Sequence, residues 1–94
     1  MNSNDTKPSI EQHLQSIRNS TYTAIRRAEE QDLGDMMRDT TRIIDTLNMM
    51  ISEASTSRRV AVNKKHREGF TYRDMADEIG ISFQRVAQIA RGNK

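Results

Sequence analysis

Side chains with the hydrogen-bonding groups that recognise base edges are concentrated near the end of the chain. Gln84 and Gln88 are four residues apart, so a helix places both amides on one face. Each amide can pair with N6 and N7 of an adenine, and the guanidinium of Arg85 can pair with O6 and N7 of a guanine. Binding of a phosphate is the alternative role for Arg85. Ala87 is small enough to allow close approach and contact with a thymine methyl group.

Presenting these residues requires a short helix packed across another helix, and the surrounding sequence predicts one. Thr71 and Ser82 are natural N-cap residues, which predicts that a helix begins after each of them. Gly80 supplies the positive φ of a tight turn, Ala76 is small where the second helix crosses, and Val86 fills the angle between the helices. The apolar residues around them are Met75, Ile79, Ile81 and Ile89. The segment from residue 71 to 91 therefore predicts a helix-turn-helix.

This segment resembles a known family of DNA-binding domains. The residues that carry the resemblance are Gly80, Ile81, Ser82, Arg85, Val86, Gln88 and Ile89. Residues 58 to 92 are similar to the promoter-recognising C-terminal domain of bacterial sigma factors, and more loosely to small helix-turn-helix regulators of bacteria, phages and plasmids. Phe83 and Gln84 stand where the sigma domains usually carry charged residues, and residues 1 to 57 have no counterpart of their core-binding regions. The resemblance therefore implies a regulator, either a repressor or an accessory factor.

In such a motif the second helix enters the major groove, and neighbouring helix ends contact the phosphate backbone. We expect Val86, Ile89 and Ala90 to face inward. The residues expected to contact bases are Phe83, Gln84, Arg85, Ala87 and Gln88. The residues expected to contact phosphates are Arg58, Arg59, Lys64, Lys65, Arg67, Thr71, Tyr72, Arg73, Ser82 and Arg91. For Phe83 we expect partial burial against Tyr72 and Ile81, with an apolar contact on the groove floor as the alternative. His66 is expected beside Lys65 and Arg67 on the basic side.

The distribution of charge supports this assignment better than the net charge does. Residues 1 to 57 contain 6 Lys and Arg against 9 Asp and Glu, whereas residues 58 to 94 contain 9 against 4. Cations in the second segment would release counterions from a duplex and supply the affinity that does not depend on sequence. An ordinary solvated surface is the alternative interpretation of these charges.

Composition argues against several other classes of protein. The chain has no Cys and 2 His, too few for a zinc site, so we expect no metal and no cofactor. The sequence has no glycine-rich phosphate loop and no paired catalytic groups, so we expect no enzymatic activity. The absence of Cys fits a reducing compartment, and the polar start lacks a signal peptide's apolar core. We therefore expect a cytoplasmic, nucleoid-associated protein without a membrane span.

The N-terminal half predicts two amphipathic helices. Ser9 and Gln12 have the spacing of a capping box, so a helix should begin at Ile10. Apolar residues recur at steps of three and four in two series, and the phase breaks near Gly34. The first series is Ile10, Leu14, Ile17, Thr21, Ala24 and Ala28, and the second is Leu33, Met36, Thr40, Ile43, Leu47, Met50 and Ala54. These patterns predict helices over about residues 10 to 31 and 35 to 54.

A hairpin of two such helices leaves apolar surface that needs a further layer, which a second copy of the chain can supply. Dimerisation would also help a C-terminal segment of fewer than about 40 residues, a size at which chains usually need support. The expected dimerisation residues are Leu33, Met36, Ile43, Leu47 and Met50. Packing of these helices on the C-terminal segment within a monomer is the alternative.

The expected fold is all-α, with an N-terminal helical hairpin followed by a trihelical helix-turn-helix domain. We assign residues 1–8 to a disordered N-terminus, 9–56 to a helical oligomerisation region and 57–94 to the DNA-binding domain. The expected partners are double-stranded DNA and a second copy of the chain. A protein-interaction module, such as an antitoxin or an RNA-polymerase-associated sigma-like factor, is the alternative function.

Overall fold

A computed structural model describes residues 7–92, and this part of the chain contains four α-helices. The helices are α1 (Ile10–Glu29), α2 (Leu33–Arg67), α3 (Tyr72–Ile79) and α4 (Phe83–Ala90). The prediction of an all-α chain is confirmed. Most of the N-terminus predicted to be disordered, residues 1–8, lies outside the described residues, and so does the basic end of the chain at Lys94.

The capping box at Ser9 begins α1 as predicted. The Gln12 N–H donates to Ser9 Oγ at 3.2 Å, and the Ser9 N–H donates to Gln12 Oε1 at 2.7 Å. These two bonds satisfy backbone donors that a helix start otherwise leaves without partners. The helix ends at Glu29, two residues earlier than predicted.

The second helix is much longer than the sequence pattern suggested. It begins at Leu33, where the Asp32 carboxylate accepts from the Asp35 N–H at 2.9 Å, and it continues without a break to Arg67. The prediction that this helix ends near residue 54 is therefore wrong. The apolar repeat stops there, but residues 52 to 59 contain no Gly or Pro. Because no Gly or Pro interrupts it there, the backbone hydrogen bonding of α2 continues past the end of the apolar repeat.

Gly69 provides the end of α2. Its φ is 102°, and the Gly69 N–H donates to the His66 carbonyl at 3.0 Å. The Phe70 N–H donates to the Lys65 carbonyl at 3.3 Å. This pair of bonds is the Schellman arrangement, which satisfies the last carbonyls of a helix by means of a left-handed glycine.

The chain forms two compact units, Met1–Thr46 and Leu47–Lys94, and the division falls within α2. In the first unit Ala28 is buried, whereas Thr21, Ala24 and Ile25 are half-buried. Gln31, in the connection between α1 and α2, donates through its side-chain amide to Asp39 Oδ2 of α2 at 2.8 Å. Together with Arg42, this bond lowers the pKa of Asp39 below its ordinary value, because both donors favour the ionised carboxylate.

The core of the second unit is small and apolar. Its buried members are Val62, Met75, Ala76, Val86 and Ile89, and the half-buried Tyr72, Ile81 and Ala90 pack against them. Val62 belongs to α2, so the last turns of that helix take part in the core. Ile79, one of the apolar residues of this segment, is the last residue of α3 and is 50% exposed.

Within residues 7–92, none of the helices combines the length and the hydrophobicity needed to cross a lipid bilayer.

Candidate nucleic-acid interface

The start of α3 and the turn that follows it have the local chemistry that the sequence predicted. Thr71 caps α3, with its Oγ1 accepting from the Asp74 N–H at 3.0 Å while the Asp74 carboxylate accepts from the Thr71 N–H at 3.0 Å. The bond from the Thr71 backbone, together with the Thr71 side chain, lowers the pKa of Asp74. Gly80 has a φ of 77°, and its N–H donates to the Ala76 carbonyl at 2.8 Å. The prediction of a left-handed glycine at this turn is confirmed.

Helix α4 has one buried face and one polar face. Ser82 caps it, with its Oγ accepting from the Arg85 N–H at 3.1 Å. Val86 has 0% of its surface exposed and Ile89 is also buried, as the sequence predicted. Gln84 and Gln88 are exposed. Because burial of Val86 and Ile89 fixes the rotation of α4 about its axis, the two amides are held outward by the apolar core.

Arg85 and Gln88 are in contact on α4. Arg85 Nη1 donates to Gln88 Oε1 at 3.5 Å, and Arg85 is half-buried. The contact uses the carbonyl oxygen of the Gln88 amide and leaves its NH₂ group to donate elsewhere. Ala87 is half-buried, so it offers less surface than the neighbouring polar residues.

Phe83, the first residue of α4, has a neighbour that the sequence did not predict. The Arg73 guanidinium carbon lies 4.7 Å from the centroid of the Phe83 ring, in a cation–π contact. Phe83 is 40% exposed and is not among the residues that pack on the core, so the expected partial burial against Tyr72 and Ile81 is not observed. Arg73 and Phe83 belong to different helices, so no spacing along the chain would have identified the pair.

The cations near the end of α2 differ in their surroundings. Lys65 Nζ lies 3.1 Å from Glu78 Oε2 and 4.4 Å from the centroid of the Phe70 ring. Arg59 is half-buried, and a Cβ placed on Gly92 would lie 3.0 Å from its Nη1. Lys65 and Arg59 therefore have contacts inside the C-terminal unit. The other expected phosphate-binding cations are exposed, namely Arg58, Lys64, Arg67, Arg73 and Arg91.

His66 and Tyr72 form a pair at the turn between α2 and α3. Their ring centroids lie 4.4 Å apart in a stacked arrangement, and His66 Nδ1 donates to the Phe70 carbonyl at 3.0 Å. The donor must be Nδ1 because a carbonyl oxygen can only accept. Tyr72 is half-buried and packs on the core, so its ring has a structural role beside any contact made by its hydroxyl.

Asn63 has a structural role that no sequence pattern indicated. Its Nδ2 donates to the Ala90 carbonyl at 3.4 Å, so α2 supplies a partner for a carbonyl at the end of α4.

The expected dimerisation residues divide into two groups by exposure. Leu33 is 77% exposed and Met50 is also exposed, whereas Met36, Ile43 and Leu47 are half-buried.

No protein-family model matches the chain, and neither the curated proteins nor the solved structures gave a match.

Proposed function

We propose that the chain is a sequence-specific regulator of transcription that binds double-stranded DNA as a homodimer. In this proposal α3 and α4 form a helix-turn-helix, with α4 as the recognition helix and the last turns of α2 as the third helix of the domain. The observation that supports it most directly is the two-sided character of α4. Val86 is fully buried on one side, while Gln84 and Gln88 are exposed on the other.

The exposed side of α4 has the chemistry needed to distinguish base pairs. The major groove of B-DNA is about 12 Å wide and accepts one α-helix. Gln84 and Gln88 can each donate to N7 and accept from N6 of an adenine, and Arg85 can donate to O6 and N7 of a guanine. A phosphate remains the alternative partner of Arg85. Contact between Arg85 and Gln88 would couple two neighbouring base contacts.

The exposed cations supply the part of the affinity that is independent of sequence. Arg58, Lys64 and Arg67 lie on the end of α2, Arg73 on α3 and Arg91 directly after α4. Each phosphate that such a cation neutralises releases condensed counterions, so binding should weaken as salt rises. Lys65 is expected to contribute less than Lys64, because its ammonium already lies beside Glu78.

The proposed dimer uses the N-terminal helices. In this proposal α1 and the start of α2 form an antiparallel hairpin, and a second copy covers apolar side chains that the chain leaves exposed, such as Leu33 and Met50. Two recognition helices related by a two-fold axis would bind half-sites about one turn of DNA apart. Pairing would also enlarge a small core, which is how short domains without disulfides or metals commonly gain stability.

The test is a binding-site selection from a random duplex library, followed by titration of the enriched duplex and of an unrelated duplex. Gln84→Ala and Gln88→Ala should each lower affinity for the enriched duplex by about 1–3 kcal/mol, roughly 5- to 150-fold, and relax one base position. Binding to the unrelated duplex should be nearly unchanged. Gln15→Ala, at an exposed glutamine of α1, is the matched control and should behave as the unmodified chain.

Failure to enrich any sequence would contradict the proposed function. Equal losses on the enriched and the unrelated duplex would remove Gln84 and Gln88 from base recognition.

A protein-interaction module is the second candidate function, and exposed apolar residues of α2 favour it. Met37 and Ile44 are seven residues apart, hence on one face of the helix, and both are exposed. Such a stripe is typical of a surface that another helix covers. A pull-down from nuclease-treated extract should recover a stoichiometric partner, such as a toxin or RNA polymerase, under this reading. Recovery of the chain alone would favour the DNA-binding homodimer.

A further inference from the structure

We propose that Phe83 and Arg73 act together as a composite contact for the 5-methyl group of a pyrimidine, in practice thymine, and for the phosphate beside it. This inference rests on the proposed function, since it assigns a specific chemical target to one end of the recognition helix.

The position of Phe83 makes it available to a ligand of α4. It is the first helical residue after the Ser82 cap, and 40% of its surface is exposed although it is one of the most apolar side chains in the unit. Residues at the start of a recognition helix are those that reach base edges in the groove. Covering the exposed part of this ring with apolar surface would be favourable.

The major groove offers one apolar group on the edges of the four standard bases, the C5-methyl group of thymine. The other groups that the base pairs present there are hydrogen-bond donors and acceptors. A phenyl ring placed against those groups would displace their water without replacing its hydrogen bonds, which is unfavourable. Phe83 therefore discriminates in favour of thymine. 5-Methylcytosine carries the same methyl group, so the chemistry recognised is the methyl and not the base as a whole.

Arg73 gives the contact its second half. Its guanidinium carbon lies 4.7 Å from the Phe83 ring centroid, and Arg73 itself is exposed. A guanidinium over an aromatic ring retains N–H groups that can bind a phosphate in a forked arrangement. The pair thus combines an apolar surface and a cation at the head of α4, which suits a base methyl and the adjoining backbone.

The chain contains a matched control for this arrangement. Phe70, the only other phenylalanine, is 42% exposed and has Lys65 Nζ 4.4 Å from its ring centroid. It lies in the turn between α2 and α3, and its cation is already paired with Glu78. Exposure and cation contact are therefore nearly the same at the two rings, and the position relative to α4 is the main difference.

The experiment replaces each thymine of the enriched duplex, one at a time, by deoxyuridine, which removes only the methyl group and keeps the base pairing. For the unmodified chain we expect a position, assigned to Phe83, at which affinity falls about four-fold, which corresponds to ~0.8 kcal/mol for one buried methyl group. Phe83→Ala should lose that sensitivity, while Phe70→Ala should keep it. At the same position, a 5-methylcytosine pair should bind more tightly than a cytosine pair.

Arg73→Gln should reduce the salt dependence on every duplex by about one unit, as expected for one lost phosphate contact. Circular dichroism of each variant checks that the helices are retained, and Phe83→Leu gives a smaller apolar substitute if Phe83→Ala unfolds. The deoxyuridine scan of the unmodified chain needs no variant. An enriched duplex with no methyl-sensitive position, or one whose methyl-sensitive positions all persist in Phe83→Ala and Phe83→Leu, would overturn this inference and leave the proposed function intact. Absence of any enriched duplex would overturn both.

Discussion

Gly80 offers a direct test of the turn that connects α3 to α4. Its φ of 77° lies in the left-handed region, and a Cβ added there would meet no atom within 4 Å. Gly80→Ala therefore changes the backbone energy without creating a clash. Holding an L-residue in this conformation costs about 1–2 kcal/mol, and the more restricted unfolded chain offsets about 0.4–1 kcal/mol of that. We expect a net loss of about 1 kcal/mol in the free energy of unfolding.

Thermal and urea denaturation followed by far-ultraviolet circular dichroism would measure this loss. For a chain of this size, 1 kcal/mol corresponds to a fall of about 4–8 °C in Tm. Gly80→Asn should lose less, because asparagine adopts the left-handed conformation more readily than alanine. Gly34→Ala is the matched control, since Gly34 is the second residue of α2 and a Cβ there would make only an ordinary contact of 3.5 Å with Asp32 Oδ1.

Alanine is favoured over glycine in a helix, by about 0.5–1 kcal/mol in its interior and by less in the first turn where Gly34 lies, so Gly34→Ala should raise Tm slightly while Gly80→Ala lowers it. The reasoning would be refuted by a Gly80→Ala variant as stable as the unmodified chain. It would also be refuted if both alanine variants changed Tm in the same direction by similar amounts. The opposite changes are expected because Gly80 has a positive φ and Gly34 has a helical one.

Lys64→Ala should lower the salt dependence of DNA binding by about one unit. Lys65→Ala should change the salt dependence less and should instead reduce the free energy of unfolding by up to ~1 kcal/mol, because the ion pair with Glu78 is lost. Equal salt slopes for the two variants would contradict this prediction. The bonds from Thr71 hold the pKa of Asp74 below its ordinary value of 3.8, so the ionised carboxylate stabilises the fold at neutral pH and this contribution is lost as pH falls through the lowered pKa. The difference in Tm between the unmodified chain and Asp74→Ala should therefore narrow below about pH 4, and a constant difference would exclude this linkage. Leu47→Glu should place an unpaired charge in a half-buried apolar stripe, at a cost of several kcal/mol, and so dissociate the proposed dimer or unfold the chain. If sedimentation showed the unmodified chain to be a monomer and the variant kept its full DNA affinity, the N-terminal helices would not have a dimerisation role.

The parts of the fold that the sequence predicted correctly depend on local chemistry. Ser9, Thr71 and Ser82 each hydrogen-bond with a backbone N–H three residues further on, as their N-cap assignments required. The left-handed glycine at position 80 follows the same logic, because a turn of this kind restricts the backbone of a single residue. Such features need no knowledge of distant parts of the chain, and they were sufficient to locate α3 and α4.

The length of α2 was predicted wrongly because periodicity reports burial and not helicity. The apolar stripe ends near Ala54, yet Ser and Thr residues continue the helix, and the Thr56 hydroxyl donates to the Ser52 carbonyl at 3.1 Å. Such a bond lets a polar residue remain inside a helix without competing for the backbone N–H groups. The helix therefore continues to Arg67 although the apolar stripe ends near Ala54.

The candidate interface shows a second limit of sequence patterns. Lys64 and Lys65 are neighbours of the same residue type, but successive helical residues point about 100° apart. Only Lys65 is directed toward Glu78 and Phe70, so the two lysines acquire different roles. The contact between Arg73 and Phe83 likewise depends on how α3 and α4 pack, which no spacing along the chain encodes.

The same arrangement decides how salt titrations of this chain can be interpreted. The core of the C-terminal unit consists of apolar side chains, and its one ion pair among the described residues, Lys65 with Glu78, is substantially exposed. An exposed pair contributes about 0–1 kcal/mol and is screened by salt, whereas apolar burial does not weaken at moderate salt. Salt should therefore leave the folded unit nearly unchanged while it displaces exposed cations such as Lys64 and Arg73 from a phosphate backbone. A steep salt dependence of binding would thus measure phosphate contacts and not partial unfolding, and circular dichroism across the same salt range would verify the distinction.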